Sequence, residues 1–266
     1  MDKIACSVNS FYERYPYPSL PIRNEHDLAG KLHANVMSKI LSTAGMKPAS
    51  LSGKDILDAG CGTGEKSCYF AYHGAKVTSL DLSCSSISKG KKLAQKFDLQ
   101  VEFKRCDICD FKTEIKFDHI FSLGVLHHTN DPYGRFRALA DLCKPGGTIT
   151  IGLYNRYGRF LHRAKKMWIK MNAGEDIDRR MAFVESSIYG RKFRNIHEQA
   201  YAADKFANPY ESYHSVIEVI DWFNKNEISY IGSYPHTDIG IFRSFLTQLK
   251  WFKSRKGFFI LSGRKN

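Results

Sequence analysis

The 266 residues are 43% hydrophobic and 25% charged, a balance that suits one large α/β domain with a buried core and excludes a disordered or fibrous chain. No apolar run approaches the roughly 20 residues needed to cross a bilayer, the start has no apolar signal core, and the seven cysteines lack framework spacing, so a cytoplasmic chain with no membrane partner is expected. Forty lysines and arginines against 27 carboxylates give a formal charge of +13, which suits nucleic acid, an anionic metabolite or an acidic partner without separating them.

The first 30 residues are aromatic and proline-rich, and Pro16 and Pro18 forbid a regular helix across them. A helical pattern follows over 28–41 and stops at Gly45 and Pro48. From residue 55 a βα rhythm takes over, with strands expected at 55–58, 76–80, 101–105, 117–122 and 148–153. Helices are expected between them at 65–73, 84–96 and 132–143, and the turn Lys144-Pro145-Gly146-Gly147 feeds the fifth strand. Short connections in this alternation imply a mostly parallel sheet with helices on both faces. After residue 153 the rhythm breaks. Residues 154–213 read as a helical insertion, followed by a helix at 214–226, a strand at 228–234, a basic helical stretch and a last strand at 257–262. With no internal repeat and no second core pattern, the chain reads as a single domain over 1–266. Residues 1–50 would form an aromatic lid with its helix, and 154–213 would cover the site.

The loop after the first strand is G-x-G-x-G, with Gly60, Gly62 and Gly64. A dinucleotide fingerprint is G-x-G-x-x-G beneath a pyrophosphate, and Glu65 would set negative charge beside such a diphosphate. A ligand with no phosphate and a cationic centre suits this loop better. Asp81 closes the second strand, where a carboxylate can accept both hydroxyls of a ribose. Asp107 closes the third, within reach of an exocyclic adenine amine, while Asp58 and the glycine backbone can hold an amino-acid end. Helix capping is the alternative role for such aspartates, but the ordered series Asp58, Gly60, Gly62, Gly64, Asp81 and Asp107 favours the ligand. Cys106 and Cys109 form a C-x-x-C with no second pair and no nearby histidine, and no paired carboxylates suggest Mg²⁺, so no metal is expected.

These segments resemble the class I S-adenosylmethionine-dependent methyltransferases. The motifs are 56–65 (ILDAGCGTGE), 77–83 (VTSLDLS), 106–111 (CDICDF), 117–132 (FDHIFSLGVLHHTNDP) and 142–152 (LCKPGGTITIG). The resemblance implies a Rossmann-like seven-stranded methyltransferase sheet and S-adenosylmethionine as cofactor, leaving S-adenosylhomocysteine. It implies Asp58, Gly60 and Gly62 at the methionine part, with Cys61 and Gly64 in the same turn, and Asp81 at the ribose. Leu82 would pack on the adenine, Asp107 and Ile108 would hold its edge, and Leu123 would close the site near the sulfonium. The G-V-L-H-H segment is similar to small-molecule methyltransferases, including ubiquinone-pathway O-methyltransferases, which commonly carry Glu where this chain has His127.

The acceptor should lie beyond the carboxyl ends of the strands. Tyr12, Tyr15 and Tyr17 are candidates for a lid that dries the site, or for anchoring the N-terminus. His127 or His128 is a candidate general base. Tyr154, Asn155, Arg156 and Arg159 open the insertion, with the arginines suited to an anionic group, and His214 is a further candidate. The favoured reading is a methyltransferase for a small anionic or aromatic acceptor. An RNA methyltransferase docking through the basic insertion is the second, although no [DNS]-P-P-[YF] segment follows the fourth strand and no Pro-Cys nucleophile is present. A non-catalytic cofactor-binding partner is the third. The sequence leaves the oligomeric state open.

Overall fold

The computed structural model describes residues 3–266, the side chains at 31 and 32 excepted. The N-terminus differs from expectation. Helix α1 spans Lys3–Arg14 and stops before Pro16, so the prolines end a helix that the sequence reading did not assign. Its buried Ala5, Val8 and Phe11 recur every third residue and form one apolar stripe. The expected helix at 28–41 is two, α2 (Glu25–Ala29) and α3 (Lys31–Thr43), divided at Gly30.

The sheet follows the expected rhythm. Its strands are β1 (Asp55–Ala59), β2 (Lys76–Asp81), β3 (Val101–Arg105), β4 (Phe117–Leu123), β5 (Cys143–Tyr154), β6 (Ile228–Tyr234) and β7 (Phe258–Lys265). They lie in the order β3-β2-β1-β4-β5-β7-β6, with β7 antiparallel to both neighbours. β5 begins earlier than expected. The Lys144–Gly147 turn residues are absorbed as an irregularity, where pairing with β4 jumps from Phe117↔Cys143 to His119↔Thr148. Helices α4 (Glu65–Tyr72), α5 (Cys84–Lys96) and α6 (Pro132–Asp141) make the crossovers.

The insertion holds α7 (Phe160–Ala173), α8 (Ile177–Val184), a π turn at Glu185–Tyr189 and α9 (Ile196–Phe206). α10 (Val216–Lys225) opens on a capping box in which Ser215 and Glu218 satisfy each other's backbone amides. α11 (Ile241–Ser254) leads into β7. Among the described residues, no helix is long and apolar enough to cross a membrane.

Two apolar clusters flank the sheet. A third forms where Phe11 and Tyr15 of the N-terminus meet Ile169, Met181, Val184 and Phe206 of the insertion. The N-terminus and the insertion therefore fold against each other.

Phe121 packs the sheet against α4. It is fully buried on β4 and stacks on Phe70 with ring centres 4.6 Å apart. Phe121→Ala should cost about 3–5 kcal/mol in denaturant unfolding. A loss below about 1 kcal/mol would show that this packing does not hold the sheet to α4.

Candidate functional site

The loop between β1 and α4 is bent through glycines at positive φ, Gly60 at 80°, Gly62 at 55° and Gly64 at 85°. All three also allow close approach, and a Cβ on Gly60 would lie 2.2 Å from Val125 Cγ2. A Cβ on Gly62 would lie 2.3 Å from the Tyr17 carbonyl oxygen, and one on Gly64 would lie 2.8 Å from Gly90 Cα on α5. The amides of Gly60 and Cys61 donate to the Leu80 carbonyl, each at 2.8 Å, and Gly62 donates to Asp81 Oδ2 at 2.8 Å. Asp81 Oδ1 accepts from the Ser83 amide. Burial raises the Asp81 carboxyl above its ordinary pKa, against the pull of these two amides. Burial likewise lifts the Cys61 thiol, so it stays protonated. Asp58 is fully buried beneath the loop and accepts from Ser67 at 2.7 Å, with Lys66 3.5 Å away.

Residues 13–22 are fastened across this loop. The Ser19 amide donates to Thr63 Oγ1 at 2.8 Å and the Leu20 amide to Glu65 Oε1 at 2.7 Å. Lys89 reaches Ser19 Oγ, and Lys96 reaches the Ile22 carbonyl. Glu13 caps the start of α5, accepting from the amides of Cys84 and Ser85 and from the Ser85 hydroxyl. Those contacts hold the Glu13 carboxyl below its ordinary range, although burial works the other way. Glu65, which the sequence set against a diphosphate, is thus used to hold the N-terminal segment.

A cavity of about 1120 Å³ runs from this loop to the base of the insertion. At one end it touches Gly60, Cys61, Gly62, Asp81, Leu82 and Asp107, with Ile108 and Leu123 alongside. Asp107 is nearly buried; it accepts from the Cys109 amide and pairs with Arg135 at 2.9 Å. Arg135 on α6, unremarked in the sequence, also lines this end and reaches Asn130 Oδ1.

The other end is walled by Tyr12, Tyr17, His128, Tyr154, Arg159 and Asp204. Tyr12 donates to Asp204 Oδ1 at 2.7 Å and accepts from Asn208 at 3.0 Å. Burial and then the Asp204 charge raise the Tyr12 phenol well above its usual value, and burial does the same for Tyr154. The Arg159 guanidinium lies 3.5 Å over the Tyr154 ring and pairs with Glu211, which also receives Lys166 at 2.9 Å. Burial opposes the charge on Glu211, but Lys166 and then Arg159 hold its carboxyl down to about 2.

The two adjacent histidines part company. His128 lines the cavity, and its Nδ1 lies 2.7 Å from the Tyr210 carbonyl. A carbonyl only accepts, so Nδ1 carries the proton and Nε2 of the neutral ring carries the lone pair. Burial lowers the His128 pKa and keeps the ring neutral. His127 is fully buried, does not line the cavity, and stacks 3.8 Å from Tyr154 with both ring nitrogens unpartnered among the described residues. As a base its position does not serve.

Four other expected acceptor residues also stand elsewhere. Tyr15 packs on Phe11 in the cluster beneath the insertion. Asn155 is fully buried, bonds Gln248, and accepts from the amides of Tyr157 and Gly158, which fixes the turn into α7. Arg156 faces outward and pairs with Glu218 at 3.4 Å. His214 is held between Ser212 and Glu218 at the start of α10. Asp204, Glu211 and Lys166 entered the site unannounced, because only the fold of the insertion sets them beside His128. Among the described residues, no group of three or more His, Cys, Asp or Glu side chains is placed to hold a metal.

Residues 50–201 match the methyltransferase domain family. The chain is 26% identical to an uncharacterised protein of Synechococcus sp., over 87% of its own length and 60% of that protein's. It is 38% identical to the ubiquinone biosynthesis O-methyltransferase of Coxiella burnetii, over 40% of its own length and 46% of that enzyme's. It therefore spans only 46–60% of the length of these relatives. Among solved structures it resembles magnesium protoporphyrin IX methyltransferase from Synechocystis PCC 6803 with bound S-adenosylmethionine, with a TM-score of 0.60, 14% identity and coverage of 100% and 99% of the two chains. The N-methyltransferase NodS of Bradyrhizobium japonicum, with S-adenosylhomocysteine, gives a TM-score of 0.55 at 13% identity over 97% and 98%. At such identities these two structures establish the shared fold.

The buried His127 leaves a signature in stability. Burial, then the neighbouring His128 and Arg159 charges, push its pKa well below 6.5. Below about pH 6.5 the unfolded chain gains a proton that folded His127 refuses, so stability rises with pH across that window. His127→Phe should flatten the fall in stability as pH drops below about 6.5, read from denaturant midpoints. An unchanged slope would show that His127 is protonated in the fold.

Proposed function

The chain belongs to the class I S-adenosylmethionine-dependent methyltransferases, and we propose on that footing that it methylates a small aromatic or anionic acceptor held against His128. The carrying observation is the continuity of the cavity. One ligand pocket takes roughly 300–1,000 Å³, and a single space of about 1120 Å³ joins the glycine loop to His128 and Tyr154. That leaves room for a compact second ligand beside a nucleoside cofactor.

The residues fit that cofactor. Gly62 presents bare backbone, Asp81 offers two carboxylate oxygens at the cavity wall, and Leu82 and Ile108 supply apolar surface for an adenine. Asp58 supports the methionine end from beneath through the loop, and Asp107 is set by Arg135 to meet the adenine edge. When bound, the cofactor supplies a methyl group already activated by a sulfonium. The protein's own part is orientation and dryness. Tyr17 and the segment fastened over Gly62 exclude water, Tyr12 and Tyr154 flank the acceptor, and His128 Nε2 takes a proton from an acceptor hydroxyl or amine.

The rings of Tyr12, Tyr17, Tyr154 and Phe258 in the walls favour an aromatic acceptor. Arg159 is already paired with Glu211, so an anionic group would have to share it. Several of the insertion's cations are likewise engaged. Lys166 pairs with Glu211, Lys170 and Arg180 with Glu175, Arg191 with Glu198 and Lys192 with Glu185, whereas Arg163, Lys165, Arg179, Arg194 and Lys205 make no ion pair among the described residues, so an RNA would meet a partly compensated surface here.

Labelled methyl from S-adenosylmethionine, incubated with a size-fractionated extract, should appear in the small-metabolite fraction. Nuclease-sensitive label in the large fraction would reverse the assignment. Asp81→Ala should weaken cofactor binding at least tenfold, roughly 1.4 kcal/mol. His128→Gln should keep cofactor affinity and slow transfer about 100-fold or more. The acid limb of the pH–rate profile should lie below pH 6.5, because folded His128 stays neutral there; a limb above it would contradict a neutral His128 base.

A further inference from the structure

Helix α11 is amphipathic in the reverse sense. Its buried face carries Ser244, Gln248 and Trp251. Gln248 is fully committed there. Its Oε1 accepts from Asn155 Nδ2 and the Val216 amide, and its Nε2 donates to Ser244. The solvent face carries Ile241, Phe242, Phe245, Leu246, Leu249 and Phe252, the first two 76% and 71% exposed. Phe160 and Tyr157 extend this face onto the start of α7, through ring contacts at 5.7 Å to Phe252 and 5.8 Å to Phe245. A helix fixed underneath by Gln248 and by Trp251 against Phe259, and left apolar on top, presents a surface that water does not favour.

The charge around it is of one sign. Arg243, Lys250, Lys253, Arg255 and Lys256 are exposed on the helix and its exit. No acidic residue occurs from residue 239 to residue 266, nor within α7. None of the five cations makes an ion pair among the described residues, and α11 itself carries no carboxylate. The face also continues into the exposed Phe258, which forms part of the cavity wall.

We propose that α11 is an interfacial helix that docks the protein on an anionic lipid surface. Apolar side chains flanked by unpaired cations match the two layers of such a surface, the acyl boundary and the negative headgroups. Two copies of this chain meeting through the same face would set five cations against five. An RNA would use the cations and leave the six apolar side chains in water. Such docking departs from the expectation of no membrane partner, which rested on the lack of a long apolar run; among the described residues no helix is long and apolar enough to cross a membrane, and α11 would lie on its surface.

Co-sedimentation of the full chain with phosphatidylcholine vesicles, with and without phosphatidylglycerol, tests this. The protein should partition onto the anionic vesicles only, and partition should fall as salt rises. Lys250→Gln with Lys253→Gln should weaken it about fivefold for each cation removed. Phe242→Ser with Phe245→Ser should abolish it. Cofactor affinity equal to the parent's in both variants shows that they are folded. Equal partition onto both vesicle types, no partition at all, or variants that bind like the parent would overturn the proposal. So would a dimer in solution that Phe242→Ser dissociates, or RNA binding without lipid binding. The readout does not depend on methyl transfer, so its failure leaves the proposed activity standing.

Discussion

The site depends on how closely two stretches of backbone meet. The Tyr17 carbonyl lies where a side chain on Gly62 would be. Around that contact, Ser19 and Leu20 donate their amides to Thr63 and Glu65. The glycine loop therefore has two partners. Its inner edge is tied to Leu80 and Asp81 at the end of β2, and its outer edge to a segment from the far N-terminus. Such a strap runs across the crevice beyond the carboxyl ends of the central strands. It also explains why Glu65 is tolerated at the head of α4. The negative charge is spent on protein hydroxyl and amide donors, where a phosphate-binding loop would need its donors free.

The cavity sorts its ionisable groups by burial and pairing. Glu211 remains charged because Lys166 and Arg159 face it, and the same arrangement leaves Arg159 flat against Tyr154. Tyr12 is held by Asp204 and keeps its proton. His128 is the group left with an available lone pair beside the cavity, since its other nitrogen is fixed on a backbone carbonyl. Its neighbour His127 is equally neutral but faces rings and backbone. The two rings lie 4.2 Å apart and both touch Tyr154, but only His128 reaches the cavity wall, while His127 fills the layer behind it.

Much of this was legible in the sequence. The strand-loop-helix around Gly60, Gly62 and Gly64 and the strand-end Asp81 and Asp107 follow from local pattern, because their backbone requirements are local. Long-range pairing was not legible. Nothing near Glu13 announces that it caps α5, and nothing near Arg135 announces that it will hold Asp107. Arg156 looked available because its partner, Glu218, lies on a helix that only the tertiary fold brings near; His214 stands four residues before Glu218, a spacing that is local in the sequence. The prolines behind α1 dominate the local reading, whereas its Phe11 finds partners in the insertion and its Glu13 at the start of α5.

The most direct test of a strapped cavity is hydrogen exchange at the amides of Ser19 and Leu20, with and without S-adenosylhomocysteine. The account predicts that both amides are protected in the free protein and slow further with ligand, in step with residues 60–65. Ligand protection confined to the glycine loop, with Ser19 and Leu20 exchanging like an open peptide, would show that the N-terminal segment does not close the site.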